Sequence, residues 1–213
     1  MQSLAKRVVI NAANITGSGA ISIAANLLPA LVKEMPDSSF VVLLPEAWRL
    51  RRLDLAGNAN ICYVSTTTGI WNDWERLRQL FFGVRRVARQ NHADVCLTLG
   101  DLPALGLGCA QVVFLQQSLL VYNTDELAGR GGWSRAKRFY LTKHFGRASG
   151  SARYIVVQTE VMAKRVIARY TIDSRNVIVI PQPVPQHMAL ASSRTPPRVI
   201  KKYDYETSTW YSV

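Results

Sequence analysis

Gly17-Ser18-Gly19, followed at once by an apolar run from Ala20, is the pattern in this chain best suited to holding a ligand oxygen. Backbone N–H groups at the start of a helix have no partner within it and carry partial positive charge. They can hold a phosphate, a carboxylate or a sugar hydroxyl. The spacing is not G-x-G-x-x-G, because Ser22 holds the third glycine position. No G-K-[ST] follows, so this is not a P-loop either. Gln116, Gln117, Asn123 and Thr159 follow apolar runs and offer amide and hydroxyl groups. Such groups bond sugar hydroxyls but are neither acids nor bases at neutral pH. Asp101 and Asp125 could accept from a hydroxyl; for Asp101, between Gly100 and Pro103, capping a turn is favoured. His92, His144 and His187 have no acid at catalytic spacing, so no catalytic residue is assigned. Cys62, Cys96 and Cys109 show no metal spacing, and no metal is assigned. An odd number of buried-looking cysteines fits reduced core residues in a cytosolic protein.

These groups fall at the ends of strands. Val8 to Ile10, Phe40 to Leu44, Ile61 to Val64, Asp94 to Leu99, Gln111 to Leu115, Tyr154 to Gln158 and Asn176 to Ile180 read as seven strands. Most are separated by helical periods, the pattern of an α/β fold with a Rossmann-like, doubly wound parallel sheet. Such sheets bind ligands at the carboxyl ends of the strands, near the point where strand order reverses. Here those ends are Asn11–Gly19, Gly100–Pro103, Gln116–Asn123 and Gln158-Thr159. A helix is expected from about Ala20, with Ser22, Asn26 and Lys33 on one stripe and a kink or tightened turn at Pro29. Others are expected from near Asn72, over Trp133 to Ser149, and from a Thr159 cap to Tyr170. The short segment Trp48–Leu55 carries Arg49, Arg51 and Arg52. Residues 1–184 form the domain. Residues 185–213 read as linker and tail, or as the start of a second domain, and Lys201 to Val213 is polar and supports little structure.

The chain has 213 residues, 48% of them hydrophobic, with a net charge of +12 and a pI near 10.1. That excess points to an anionic partner: nucleic acid, an acidic membrane surface or a phosphorylated substrate. Nucleic acid is argued against by the lack of an RNP-like strand or helix-turn-helix pattern, and by five Trp that do not alternate with basic residues. From Leu127 to Thr159 there is no acidic residue, against Arg130, Arg135, Lys137, Arg138, Lys143, Arg147 and Arg153. This block could dock anionic lipid or a lipid-linked diphosphate acceptor, placing a cytoplasmic protein on the inner face of a membrane. Its charges spread round the helix axis, which weighs against a helix lying in the membrane plane. Val8–Val32 and Leu102–Thr124 lack charge but hold too many polar residues, Gly and Pro to be membrane spans. The apolar stretch before Asn11 is too short for a signal peptide.

The order of segments carries a family resemblance. A glycine-bearing turn leads into a helix ending NLLPAL, and an arginine-rich helix leads into ADVCLTLGDLP. QVVFLQQSLLVYN follows, then a basic helix, YIVVQTEVMAKRV and NVIVIPQPV. Over roughly Val8 to Val184 this resembles the N-terminal half of retaining glycosyltransferases of the GT-B fold, family 4. The resemblance implies two Rossmann-like domains facing across a cleft. The N-terminal one holds most of the acceptor site, and the C-terminal one holds a nucleotide-sugar through an Arg/Lys pair and E-x7-E. It implies that Gly17 and Gly19 line the cleft near the donor's phosphates. Gln116-Gln117 stand where many members carry a His, and Gln182 replaces the usual Asn. No E-x7-E follows Val184, where 29 residues remain. The expectation is a chain without its donor-binding domain, binding no cofactor and inactive alone. Its expected partners are a glycan or lipid-linked acceptor and a separate donor-binding half. A non-catalytic module that binds a sugar or another subunit is the alternative.

Overall fold

The structure, a computed structural model, describes residues 5–15, 18–46, 55, 59–64, 82–122, 135–181, 201–204 and 209–212. The chain divides into two units, Met1–Ile180 and Pro181–Val213. The first is built on a seven-stranded sheet in the order β3-β2-β1-β4-β5-β6-β7, with every pairing parallel. The strands are β1 (Arg7–Asn11), β2 (Ser39–Pro45), β3 (Ala59–Val64), β4 (Val95–Thr98), β5 (Ala110–Phe114), β6 (Tyr154–Val157) and β7 (Val177–Val179). The expected Rossmann-like, doubly wound sheet is therefore the fold. Strand order reverses at β1, whose neighbours are β2 on one side and β4 on the other.

Helix α1 (Ser18–Glu34) lays Ala24, Leu28 and Val32 against Val8, Ile10 and Phe40 on one face of the sheet. These three recur every fourth residue, which makes one buried stripe. Ser22, Asn26 and Lys33 are exposed on the other side. The kink or tightened turn expected at Pro29 does not interrupt α1, which runs as one α-helix from Ser18 to Glu34. On the opposite face, Val84 and Ala88 of α2 (Val84–Gln90) pack with Val9, Leu43 and Cys96. Further along the sheet, α3 (Arg135–Ser149) and α4 (Glu160–Tyr170) bury Phe145 and Val166 with Val113, Ile155 and Val157. At the amino ends of β1 and β4, the exposed pair Arg7–Asp94 (3.1 Å) joins the two strands and holds the Asp94 carboxyl down at about 2.

Two expectations change. Cys62 is exposed, because β3 is an edge strand and only Cys96 is fully buried. The stretch from Lys201, expected to support little structure, holds two strands: β8 (Lys201–Asp204) and β9 (Thr209–Ser212) pair antiparallel in a two-stranded sheet of the second unit. The segments 47–54 and 65–81, including Asn72 and Glu75, lie outside the described residues. Among those described, no helix is long and apolar enough to cross a membrane.

The link from β4 to β5 has no helix. Residues 99–109 form a loop that buries Pro103, Ala104 and Leu107. One side chain ties it down. Gln111 on β5 is 1% exposed, and its carboxamide is assigned the orientation in which each end meets a complementary group: Nε2 then donates to the Ala104 carbonyl (3.2 Å). Its Oε1 accepts from the Ala104 N–H (2.9 Å) and the Thr98 hydroxyl (3.2 Å). The carboxamide thus pairs with a backbone peptide much as a neighbouring strand would, which satisfies polar groups that burial would otherwise leave bare.

Candidate functional site

The carboxyl ends of β1, β4, β5 and β6 lie in order along one edge of the sheet. The β1 end continues the ladder: Ala12 N–H donates to the Leu43 carbonyl and Leu99 N–H to the Asn11 carbonyl. Beyond it, Ile15 N–H closes a turn on the Ala12 carbonyl (3.2 Å). Ser18 and Gly19 are the first two residues of α1, so their backbone lies in its first turn, where N–H groups are unpaired within the helix. Gly17 lies outside the described residues. No acidic side chain occupies that first turn to use those N–H groups.

The β1 and β4 loops touch. A Cβ on Gly100 would lie 3.1 Å from the Asn14 Cβ, so glycine is what lets them close to this distance. Next to it, Asp101 sits at φ +67° and Leu102 N–H bonds back to the Gly100 carbonyl (2.8 Å). This is a γ-turn of the rare positive-φ kind, a conformation costing on the order of 1–3 kcal/mol for a residue with a Cβ. The compensation is visible. The Asp101 carboxylate accepts the backbone N–H groups of Gln116 and Gln117, and the Gln117 side chain also bonds it. Hydrogen bonds to an ionised acceptor are the strong ones. Burial nonetheless pushes the carboxyl up to about 6, against the pull of those donors. Asp101 is the turn-former the sequence favoured, and it fastens the β4 loop to the β5 loop.

Gln116 and Gln117 are thus brought together around Asp101, and the Gln116 amide also donates to the Leu99 carbonyl (3.2 Å). Asn123 and Asp125 lie outside the described residues. The segment just before Asn123 is held firmly. Tyr170 donates its hydroxyl to the Leu120 carbonyl (2.6 Å), and Arg138 and Arg169 both donate to the Tyr122 carbonyl. The Arg165 guanidinium lies 4.4 Å over the Tyr122 ring. Thr159 stands one strand further along, at the end of β6. Its hydroxyl oxygen accepts from Met162 N–H (3.2 Å), making it the N-cap of α4 with an exposed side chain. Of the three histidines, His144 is buried. Its Nε2–H donates to the Pro103 carbonyl (3.0 Å) beneath the same loop, and burial lowers its pKa.

One residue at this edge escaped the sequence reading. Asn11 closes β1, is 1% exposed and uses Oδ1 weakly, accepting from Ala13 N–H at 3.4 Å. Its Nδ2 is buried with no hydrogen-bond partner. An orphan buried donor costs about 1–3 kcal/mol. The sequence signal was available: an Asn ends an otherwise β-branched run, Val8-Val9-Ile10-Asn11.

No protein-family model matches the chain, and the search of curated proteins returned no match. Solved structures do match. A UDP-N-acetylglucosamine 2-epimerase from Rickettsia bellii aligns over 90% of this chain and 47% of its own, with a TM-score of 0.51 at 12% identity. A ugt transferase from Siraitia grosvenorii in complex with UDP aligns over 84% of this chain and 50% of its own, with a TM-score of 0.50 at 13% identity. At these identities the likeness is one of fold. The chain spans about half the length of each.

Proposed function

We propose that this chain forms the acceptor-side wall of a cleft in which a sugar passes, with retention, from a nucleotide-sugar to a glycan or glycolipid acceptor. The carrying observation is topological. A doubly wound sheet reverses its order at β1, and it shares its fold with half of two proteins whose names include UDP or a UDP-sugar. The order of motifs from Val8 to Val184 resembles family 4 of the GT-B glycosyltransferases and supports the finer reading.

In this reading the first-turn N–H groups of α1, at Ser18 and Gly19 with Gly17 ahead of them, receive a diphosphate or sugar oxygen. Gln116, Gln117, Asn123 and Thr159 line the acceptor side and bond hydroxyls. The Asp101 clamp fixes where the two glutamines stand. Cationic groups that stabilise the leaving nucleotide diphosphate come from a donor-binding half, attached or separate. The test is calorimetric titration of the purified chain with UDP, UDP-hexoses and glycans, beside a sugar-nucleotide hydrolysis assay. Glycans are expected to bind, and donor turnover is expected only when a donor-binding half is supplied. Release of UDP or GDP by the 213 residues alone would overturn the proposal.

A non-catalytic sugar- or subunit-binding module is the second reading. It is favoured by one observation: among the described residues, the buried acid at this edge, Asp101, is consumed by Gln116 and Gln117. Glycan binding with no activity beside any donor-binding half would decide for it.

A further inference from the structure

Helix α3 presents a second surface, which stands apart from the sugar-transfer reading. Its inner side is settled: His144, Phe145, Ala148 and Ser149 are buried, and Arg138 turns inward to the Tyr122 carbonyl. The exposed residues from Phe139 onward include Phe139 (65%), Tyr140 (40%), Lys143 and Arg147. At about 100° per residue these four fall within an arc of roughly 100°, along about 12 Å of helix. The basic charges seemed spread round the axis in the sequence; with Arg138 engaged, the exposed ones described on this helix share one face with two aromatic rings. Lys143 Nζ lies 5.6 Å over the Phe139 ring, and Tyr140 stacks on His144 at 6.4 Å. Among the described residues neither Lys143 nor Arg147 has an acidic partner, and no acid occurs anywhere from Leu127 to Thr159.

We infer that this face of α3 docks on the surface of an acidic phospholipid bilayer. Charge complementarity decides the occupant: two unpaired cations on a chain of net charge +12 meet anionic headgroups. Amphipathic rings such as Tyr, and Phe beside a lysine, settle at headgroup depth, while Lys and Arg stems extend along apolar surface with their charges in water. The face is one side of a convex helix whose back is core, so contact is shallow and reversible. A nucleic acid is a poorer fit, because it asks for a basic groove with a row of stacking rings.

The experiment is flotation of the full chain with phosphatidylcholine vesicles, with and without phosphatidylglycerol. Binding is expected only with the anionic lipid. Lys143→Gln with Arg147→Gln should weaken it about thirty-fold, from roughly five- to sixfold per charge. Phe139→Ala should weaken it about fivefold, since the ring buries only partly. The control Arg86→Gln with Arg89→Gln removes equal charge from α2 and should change it little. All four positions are exposed, and unchanged circular-dichroism melts confirm folding. No preference for phosphatidylglycerol, equal loss in the α2 control, or loss of oligonucleotide binding instead of vesicle binding would each overturn the proposal.

Discussion

Two buried carboxamides flank β4, Asn11 on β1 and Gln111 on β5, and both are 1% exposed. They meet opposite fates. Gln111 uses both ends of its amide on Ala104 and Thr98. Asn11 makes one long bond to Ala13 and leaves Nδ2 bare. The difference follows position. Gln111 lies within the sheet, under a loop that needs an anchor. Asn11 lies at the carboxyl end of β1, where the strand order reverses and where ligands of such sheets bind. Polar groups that satisfy one another are scaffold, and a buried donor left unpaired is stability withheld from folding.

Making both amides apolar should break the symmetry most clearly. Gln111→Leu strands the Ala104 N–H and carbonyl and the Thr98 hydroxyl, and should cost about 3 kcal/mol or more in a urea unfolding experiment. Asp101→Ala comes next. It frees the N–H groups of Gln116 and Gln117 while keeping a Cβ at positive φ, for an expected loss of about 2–3 kcal/mol. Tyr170→Phe, which leaves the Leu120 carbonyl without its hydroxyl donor, should cost about 1 kcal/mol. Asn11→Leu should change stability by less than about 1 kcal/mol, because the lost Ala13 bond is offset by removing the orphan donor. A loss at Asn11 as large as that at Gln111 would erase the distinction.

Asp101 sharpens the same contrast through pH. Its carboxyl stands at about 6 in the folded chain against an ordinary 3.8. Between those values the folded state holds a proton that the unfolded state has released. The stability this group adds is therefore fully present below about pH 3.8 and is lost as pH rises through about 6. The urea midpoint of the natural chain minus that of Asp101→Asn should fall across this window and then level off. The opposing contribution of His144 is common to both proteins and cancels. A flat difference would show that the N–H donors keep the carboxylate ionised throughout.

What was legible in the sequence depended on distance along the chain. The strands were readable because β-branched runs need no remote partner to announce them. The Thr159 cap was readable because its hydroxyl serves Met162, three residues on. The site's closure was not, since Asp101 reaches Gln116 across fifteen residues and nothing local marks that bond. Cys62 looked buried because its run is apolar, but an edge strand leaves such a run half covered. The β8–β9 pair was missed because its strands are polar, and their only described partner is each other.

The Gln111 anchor has a consequence for amide exchange with solvent deuterium. Ala104 belongs to no helix or strand, yet its N–H is committed to a side chain of β5. Its exchange should be slow, and its opening should follow β5 instead of the surrounding loop. A residue in irregular structure would then report when the centre of the sheet comes apart.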